Sequence, residues 1–411
     1  MTMSLKMRLG LVFSGALFLV AVAAWIYQLK EGLILTNMQN SYSWGLYISG
    51  LAFFVGNAAG GLVLTSSIYL FGVKKLKPLA KLGALTAFAN VTAAMLIVLP
   101  DIGKPIRLYN MLLHPNWMSP LVWDVIVLNL YAAAAAIYLY ILMLPELTGR
   151  LGWLAIRVDD PHAFSERWAK RIAPVALLFA IGIHVVTAWI FSTQGARDWW
   201  FSPVMAPDFV SVAIAVGTTV VLLAAALAYG TGEKYQEAYR ALGLIIFMAT
   251  CVHLFLMAND LVIHSWYGNA ETHRIMDIAW GDFGPAHLFE VAAPLLGAWL
   301  LMRPQILGSL PRLLASSALL IAGVFVHRFL IMPAAYNNIP MTMTPFGLPE
   351  SHWSLPIASG RFLPGMGTFL DQYAYFPSLV EVAILIGIMA YAVFLVLLAI
   401  ARLPILAREN Q

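Results

Sequence analysis

The sequence predicts an all-α polytopic membrane protein with ten transmembrane helices, on two observations. The 411 residues are 61% hydrophobic and only 11% charged, whereas a soluble domain carries about a quarter charged residues. Apolar runs of the roughly 20 residues needed to cross a bilayer as a helix recur along the whole length. The alternating strands of about ten residues that a transmembrane barrel requires are absent.

The runs lie near 9–29, 45–72, 80–99, 121–144, 172–194, 208–229, 240–265, 284–302, 312–335 and 378–401. The first follows Lys6 and Arg8, as a signal peptide would. Its apolar stretch is too long for a usual h-region and no small-residue cleavage site follows, so it is read as a helix. Spans 2 and 6 each begin after a Trp-bearing segment, with YISGLAFFVG at 47–56 and FVSVAIAVG at 209–217. Four spans separate these similar strings, so direction is preserved and the repeat is parallel. The expected organisation is two four-helix bundles, spans 2–5 and 6–9, plus two peripheral helices. The corresponding segments are 1–44, 45–194, 195–335 and 336–411.

Basic residues set the orientation. Of the 24 Lys and Arg, 17 fall on the side shared by both termini, 6 on the other side, and Arg328 lies within a span. The positive-inside rule therefore predicts both termini in the cytoplasm of a cytoplasmic (inner) membrane protein. The net charge of +4 reports this topology and does not point to nucleic acid. The single Cys251 lies inside a span, which argues against a disulfide framework and against a Cys-ligated cluster in this protein.

Ionisable side chains inside hydrocarbon are costly, so each asks for a partner, water or a role. The spans hold Asp124, His184, His253, Asp260, His264, Glu290, His327, Arg328 and Glu381. Given the topology, most fall from the midplane to the outer side. On span 7 the steps from His253 to Asp260 and His264 keep these residues within about 20° of one helix face. They form a polar stripe with His253 near the middle. His184 is expected near the middle of span 5, and His287 and Glu290 near the outer start of span 8. A one-sided series of His, Asp and Glu is what a proton path to one aqueous side requires. The proton-path candidates are His253, Asp260, His264, Glu290 and Arg328. Buried pairs that fix helix packing are the competing explanation, and Glu381 fits it best.

The outer connections DIGKPIR (101–107), HPNWMSPLVWD (114–124) and GARDWWFSPVMAP (195–207) are rich in Trp, Pro and Asn. The connection at about 336–377 is the longest. Together they resemble a docking platform, although Trp199 and Trp200 also suit an interfacial aromatic belt.

The ordered strings WGLYISGLAFFVGNAAGG (44–61), DIGKPIR, PNWMSPLVWD (115–124), HVVTAWIF (184–191) and APDFVSVAIAVG (206–217) resemble the NrfD/PsrC family of integral membrane quinone-reactive subunits. The similarity covers roughly 40–335. The ten-span form looks closest to the branch with DsrP, HmcC and the alternative complex III membrane subunits, and within it to a DsrP-like subunit of sulfur metabolism. The resemblance implies menaquinone or another quinone as cofactor, bound near the outer side of the first bundle. It implies no haem in this protein. It also implies an extracytoplasmic ferredoxin-like iron–sulfur subunit as partner, within a larger redox complex.

On the matching motifs, Asp124 and His184 are the expected catalytic residues for headgroup binding and proton transfer. Trp44, Tyr47, Asn57, Arg107 and Trp123 are the further quinone-binding candidates. Asn57 would be a ligand or a packing amide. Arg107 would orient Asp124 or offer positive charge to the ring. No metal site is expected. Three other classes fit parts of the pattern: a cytochrome-b-type haem subunit using His184 and His253, a secondary transporter, and a purely structural anchor.

Overall fold

The computed structural model describes residues 5–39, 42–147, 149–267, 270–337 and 375–406, with the short pieces 342–343, 351–352, 355–356 and 369–370. Most of the long connection 336–377, including Arg361, lies outside the described residues, as does Arg408.

Among the described residues, ten helices are long and apolar enough to cross a membrane. They are α1 Leu5–Glu31, α2 Leu46–Leu70, α3 Ala80–Asp101, α4 Pro120–Met143 and α5 Pro161–Ser192. Then follow α6 Met205–Tyr229, α7 Glu233–Tyr267, α8 Ala270–Leu301, α9 Leu310–Tyr336 and α10 Leu379–Arg402. The protein is an all-α, multi-pass integral membrane protein. Two pairs of two-residue antiparallel strands, at 342–343 with 351–352 and at 355–356 with 369–370, are the described strands in the long connection.

Helices α2 to α5 pack in a ring, and α6 to α9 in another. Helices α1 and α10 pair with each other and lie against α3. The two rings meet where α2 crosses α6, flanked by α5 and α9. Small residues let that crossing close. A Cβ on Gly60 would run into the backbone of Gly217, and one on Gly217 into that of Gly60. Membrane helices associate through such close approach because lipid offers no hydrophobic drive between them. Tyrosine hydroxyls tie the first ring further: Tyr131 donates to the Ala58 carbonyl at 2.6 Å and Tyr138 to that of Ala169 at 3.1 Å.

Three helices begin well before their apolar runs. Helix α5 starts at Pro161, where Asp160 caps it by accepting from the Ala163 amide at 3.0 Å. Helix α7 starts at Glu233, and α8 at Ala270 with Pro285 inside it. These extensions are amphipathic, so hydropathy alone does not see them. His253 lies 20 residues, or about 30 Å, from the start of α7 and touches Asp208 in the first turn of α6, so it is level with that helix start.

Candidate functional site

In the first ring, Ser119 and Pro120 start α4 and bring Asp124 into its second turn, where it is buried. Thr187 of α5 donates its hydroxyl to Asp124 Oδ1 at 2.5 Å. His184 lies one turn from Thr187 on α5. Its Nδ1 is 2.9 Å from the Ala180 carbonyl. A carbonyl only accepts, so Nδ1 carries the proton. Nε2 is buried without a well-aligned hydrogen bond among the described residues, and the Val55 backbone carbonyl of α2 lies against the ring.

The other first-ring candidates are spread apart. Trp44 stacks on Trp200 with ring centroids 5.7 Å apart and meets Phe191 edge-on at 5.9 Å. Trp200 is buried and donates to the Ile331 carbonyl at 2.7 Å, so it is a plug between the rings and not a lipid-belt residue. Tyr47 donates to Gln28 Oε1 of α1 at 2.5 Å, and Gln28 passes the contact to the Pro100 carbonyl at 2.8 Å. Asn57 is buried near the α2–α6 crossing with its side-chain oxygen unpartnered among the described residues. Trp123 donates to the Trp117 carbonyl at 2.6 Å and packs edge-on to Trp189. Arg107 is exposed in the Pro105–Arg107 turn.

In the second ring all four helices contribute to one series of carboxylates and imidazoles. His253 Nδ1 of α7 lies 2.5 Å from Asp208 Oδ1 of α6. Asp208 Oδ2 is 3.4 Å from His327 Nε2 of α9. His327 Nδ1 is 2.9 Å from Glu290 Oε2 of α8, and Glu290 Oε1 is 2.5 Å from His287 Nδ1. Asp208, which no sequence candidate included, is the hub. Its placement at the very start of span 6 made it read as a loop-end residue, and the APD string was its only signal. Asp208, His253 and His327 each offer an atom within 4.8 Å of the others, a spacing that admits a metal ion. Each is already engaged in this relay.

The expected stripe on α7 divides. His253 joins the relay. Asp260 accepts from Ser202 at 2.5 Å, and His264 lies 3.6 Å from the Asp260 carboxylate. Arg328 is fully buried, with its guanidinium 3.7 Å above the Phe209 ring and no hydrogen-bond partner among the described residues. Asp208, His287, Glu290 and His327 of the relay and the Asp260–His264 pair line a cavity of about 150 Å³, walled by Trp199, Trp280, Phe209 and Met257. Trp199 thus faces the cavity as well as the loop. His184 and His253, the pair considered for haem, sit in different rings.

Glu381 has a structural place. Its side chain accepts from the Ser378 amide at 2.8 Å while Ser378 caps the Glu381 amide, a complete capping box for α10. It also accepts from the Asn37 amide at 3.1 Å and from the Tyr375 hydroxyl. Burial first, and then the charge of Glu381, push the Tyr375 phenol up, which keeps it a donor.

The fold and these buried proton-exchanging groups define a polytopic membrane protein with polar chemistry gathered at one end. Residues 34–340 match the polysulphide reductase, NrfD, family, and the protein belongs to that family. It is 31% identical over 412 residues to a putative dimethyl sulfoxide reductase membrane subunit of Halobacterium salinarum, with 95% of this sequence and 89% of that one aligned. It is 24% identical over 314 residues to a polysulfide reductase polypeptide of Wolinella succinogenes, with 73% and 96% aligned. It is 25% identical over 213 residues to an Hdr-like menaquinol oxidoreductase integral membrane subunit of Archaeoglobus fulgidus, with 51% and 49% aligned.

Proposed function

We propose that this protein is the quinone-reactive membrane subunit of a multi-subunit respiratory redox complex. It exchanges electrons between the menaquinone pool and an extracytoplasmic ferredoxin-like iron–sulfur subunit, in a complex of sulfur metabolism. Both termini face the cytoplasm on this reading. The relatives' names, which include a reductase membrane subunit and a menaquinol oxidoreductase subunit, support it.

The observation that carries the site is the buried His184 imidazole, whose Nε2 makes no well-aligned hydrogen bond among the described residues, beside the Asp124–Thr187 pair. A quinol hydroxyl donates, and a buried unpaired acceptor is costly until such a donor arrives. The quinone, when bound, supplies the two-electron, two-proton chemistry. Asp124 exchanges a proton with the outer water, and Thr187 holds its carboxylate in place. His184 accepts the hydroxyl and fixes the ring. Placing these groups near the outer end favours proton exchange on that side.

The relay of the second ring is the proton route that couples to this chemistry. Its members alternate carboxylate and imidazole, with three hydrogen-bonded links and a 3.4 Å contact between Asp208 and His327, so that a proton could pass from group to group.

The test is oxidation of a menaquinol analogue by the reconstituted complex, followed through reduction of the partner's clusters. Asp124→Asn and His184→Ala are expected to lower the rate by about 100-fold, the scale of lost general acid–base catalysis, with assembly intact. Unchanged rates in both assembled variants would refute the assignment.

A further inference from the structure

The cavity of the second ring has more in it than a proton route requires. A relay needs only a file of polar groups, yet this space is mostly apolar and walled by indoles. We propose that it is a second ring-binding site, for the planar headgroup of a lipid-soluble quinone, separate from the one at Asp124 and His184. The proposal rests on the quinone reading above.

Three observations support it. The volume, about 150 Å³, matches that of apolar cavities known to admit one benzene ring. Its walls have the right chemistry for a flat ring. His287 lies between two indoles, with centroids 6.1 Å from Trp199 and 5.3 Å from Trp280, and Phe209 and Met257 add apolar cover. The polar side holds an unused contact: His287 Nδ1 is taken by Glu290, while its Nε2 is buried without a partner among the described residues.

Position strengthens the case. In the first ring a carboxylate on the third helix, Asp124, meets the fourth helix at Thr187, one turn from His184. In the second ring a carboxylate on the third helix, Glu290, meets the fourth helix at His327. The parallel repeat read from the sequence thus carries a site in each half. A ring oxygen in the second cavity would face His287, with Glu290 and His327 behind it to take up or return a proton.

The experiment is photolabelling of the purified complex with an azido-quinone, competed by a decyl naphthoquinone, with labelled peptides mapped. Two sets of competable peptides are expected in the wild type, one from α4 and α5 and one from α8 and α9. His287→Ala and Trp280→Ala should each cut the second set by about tenfold, the scale of a lost buried contact, and leave the first. His184→Ala should do the reverse. Label confined to α4 and α5 in the wild type would overturn this proposal and leave the quinone reading standing. Label confined to α8 and α9 would support the cavity and move the first-ring assignment. Absence of any competable label would overturn both. The wild-type map decides the matter even where a variant fails to assemble.

Discussion

Glu290 Oε2 meets His327 Nδ1 at 2.9 Å across the α8–α9 seam, while the other oxygen of the same carboxylate holds His287 at 2.5 Å. One side chain therefore fixes two imidazoles on two helices. A carboxylate in this position sets the tautomer of both rings, because each Nδ1 must present a proton to it.

Glu290→Ala leaves two buried histidines without their shared acceptor. The expected cost is about 2–3 kcal/mol, typical of stranding groups once bonded to a charge. Thermal unfolding of the purified complex measures it. Glu290→Gln keeps the volume and should retain most of the stability. It should still slow proton release during quinol turnover, read with a pH-sensitive dye in proteoliposomes. A variant with wild-type proton release would remove Glu290 from the relay.

Thr187→Val keeps the shape of α5 but removes the donor to Asp124. Turnover should fall by about tenfold, the equivalent of one charge-assisted hydrogen bond, with little change in unfolding temperature. Equal turnover would mean that Asp124 is oriented by something other than Thr187.

Gly60→Ala tests the crossing of α2 and α6. The added methyl meets backbone, which cannot rotate away, so overpacking should cost about 1–3 kcal/mol. Gly182→Ala is the control, since its Cβ would meet only Val127 at 3.9 Å, an ordinary contact. Yield of folded protein in detergent separates the two.

Glu381→Ala should behave as a lost helix cap, costing about 1–2 kcal/mol. The surviving folded fraction should turn over quinol at the wild-type rate. A catalytic defect at unchanged stability would return Glu381 to the site.

The ten spans were legible because lipid imposes a length and a composition that few other environments do. The ends of α5, α7 and α8 were not, since outside the lipid a helix is amphipathic and looks like loop by hydropathy. That blur hid Asp208 at a helix start. Glu381 was legible in kind, because Ser378 three residues earlier writes a capping box. The relay itself was beyond reach: its partners come from four helices, and only packing decides which carboxylate faces which imidazole.

The contact of Gly60 with Gly217 has a consequence for how the molecule can be divided. Its two rings of four helices are joined by the segment between Thr193 and Val204, where the molecule could in principle be cut. Here each half, alone, would turn a strip of bare backbone toward lipid, with no side chain to cover it. The two rings have traded independence for closeness, and neither is a spare part for the other.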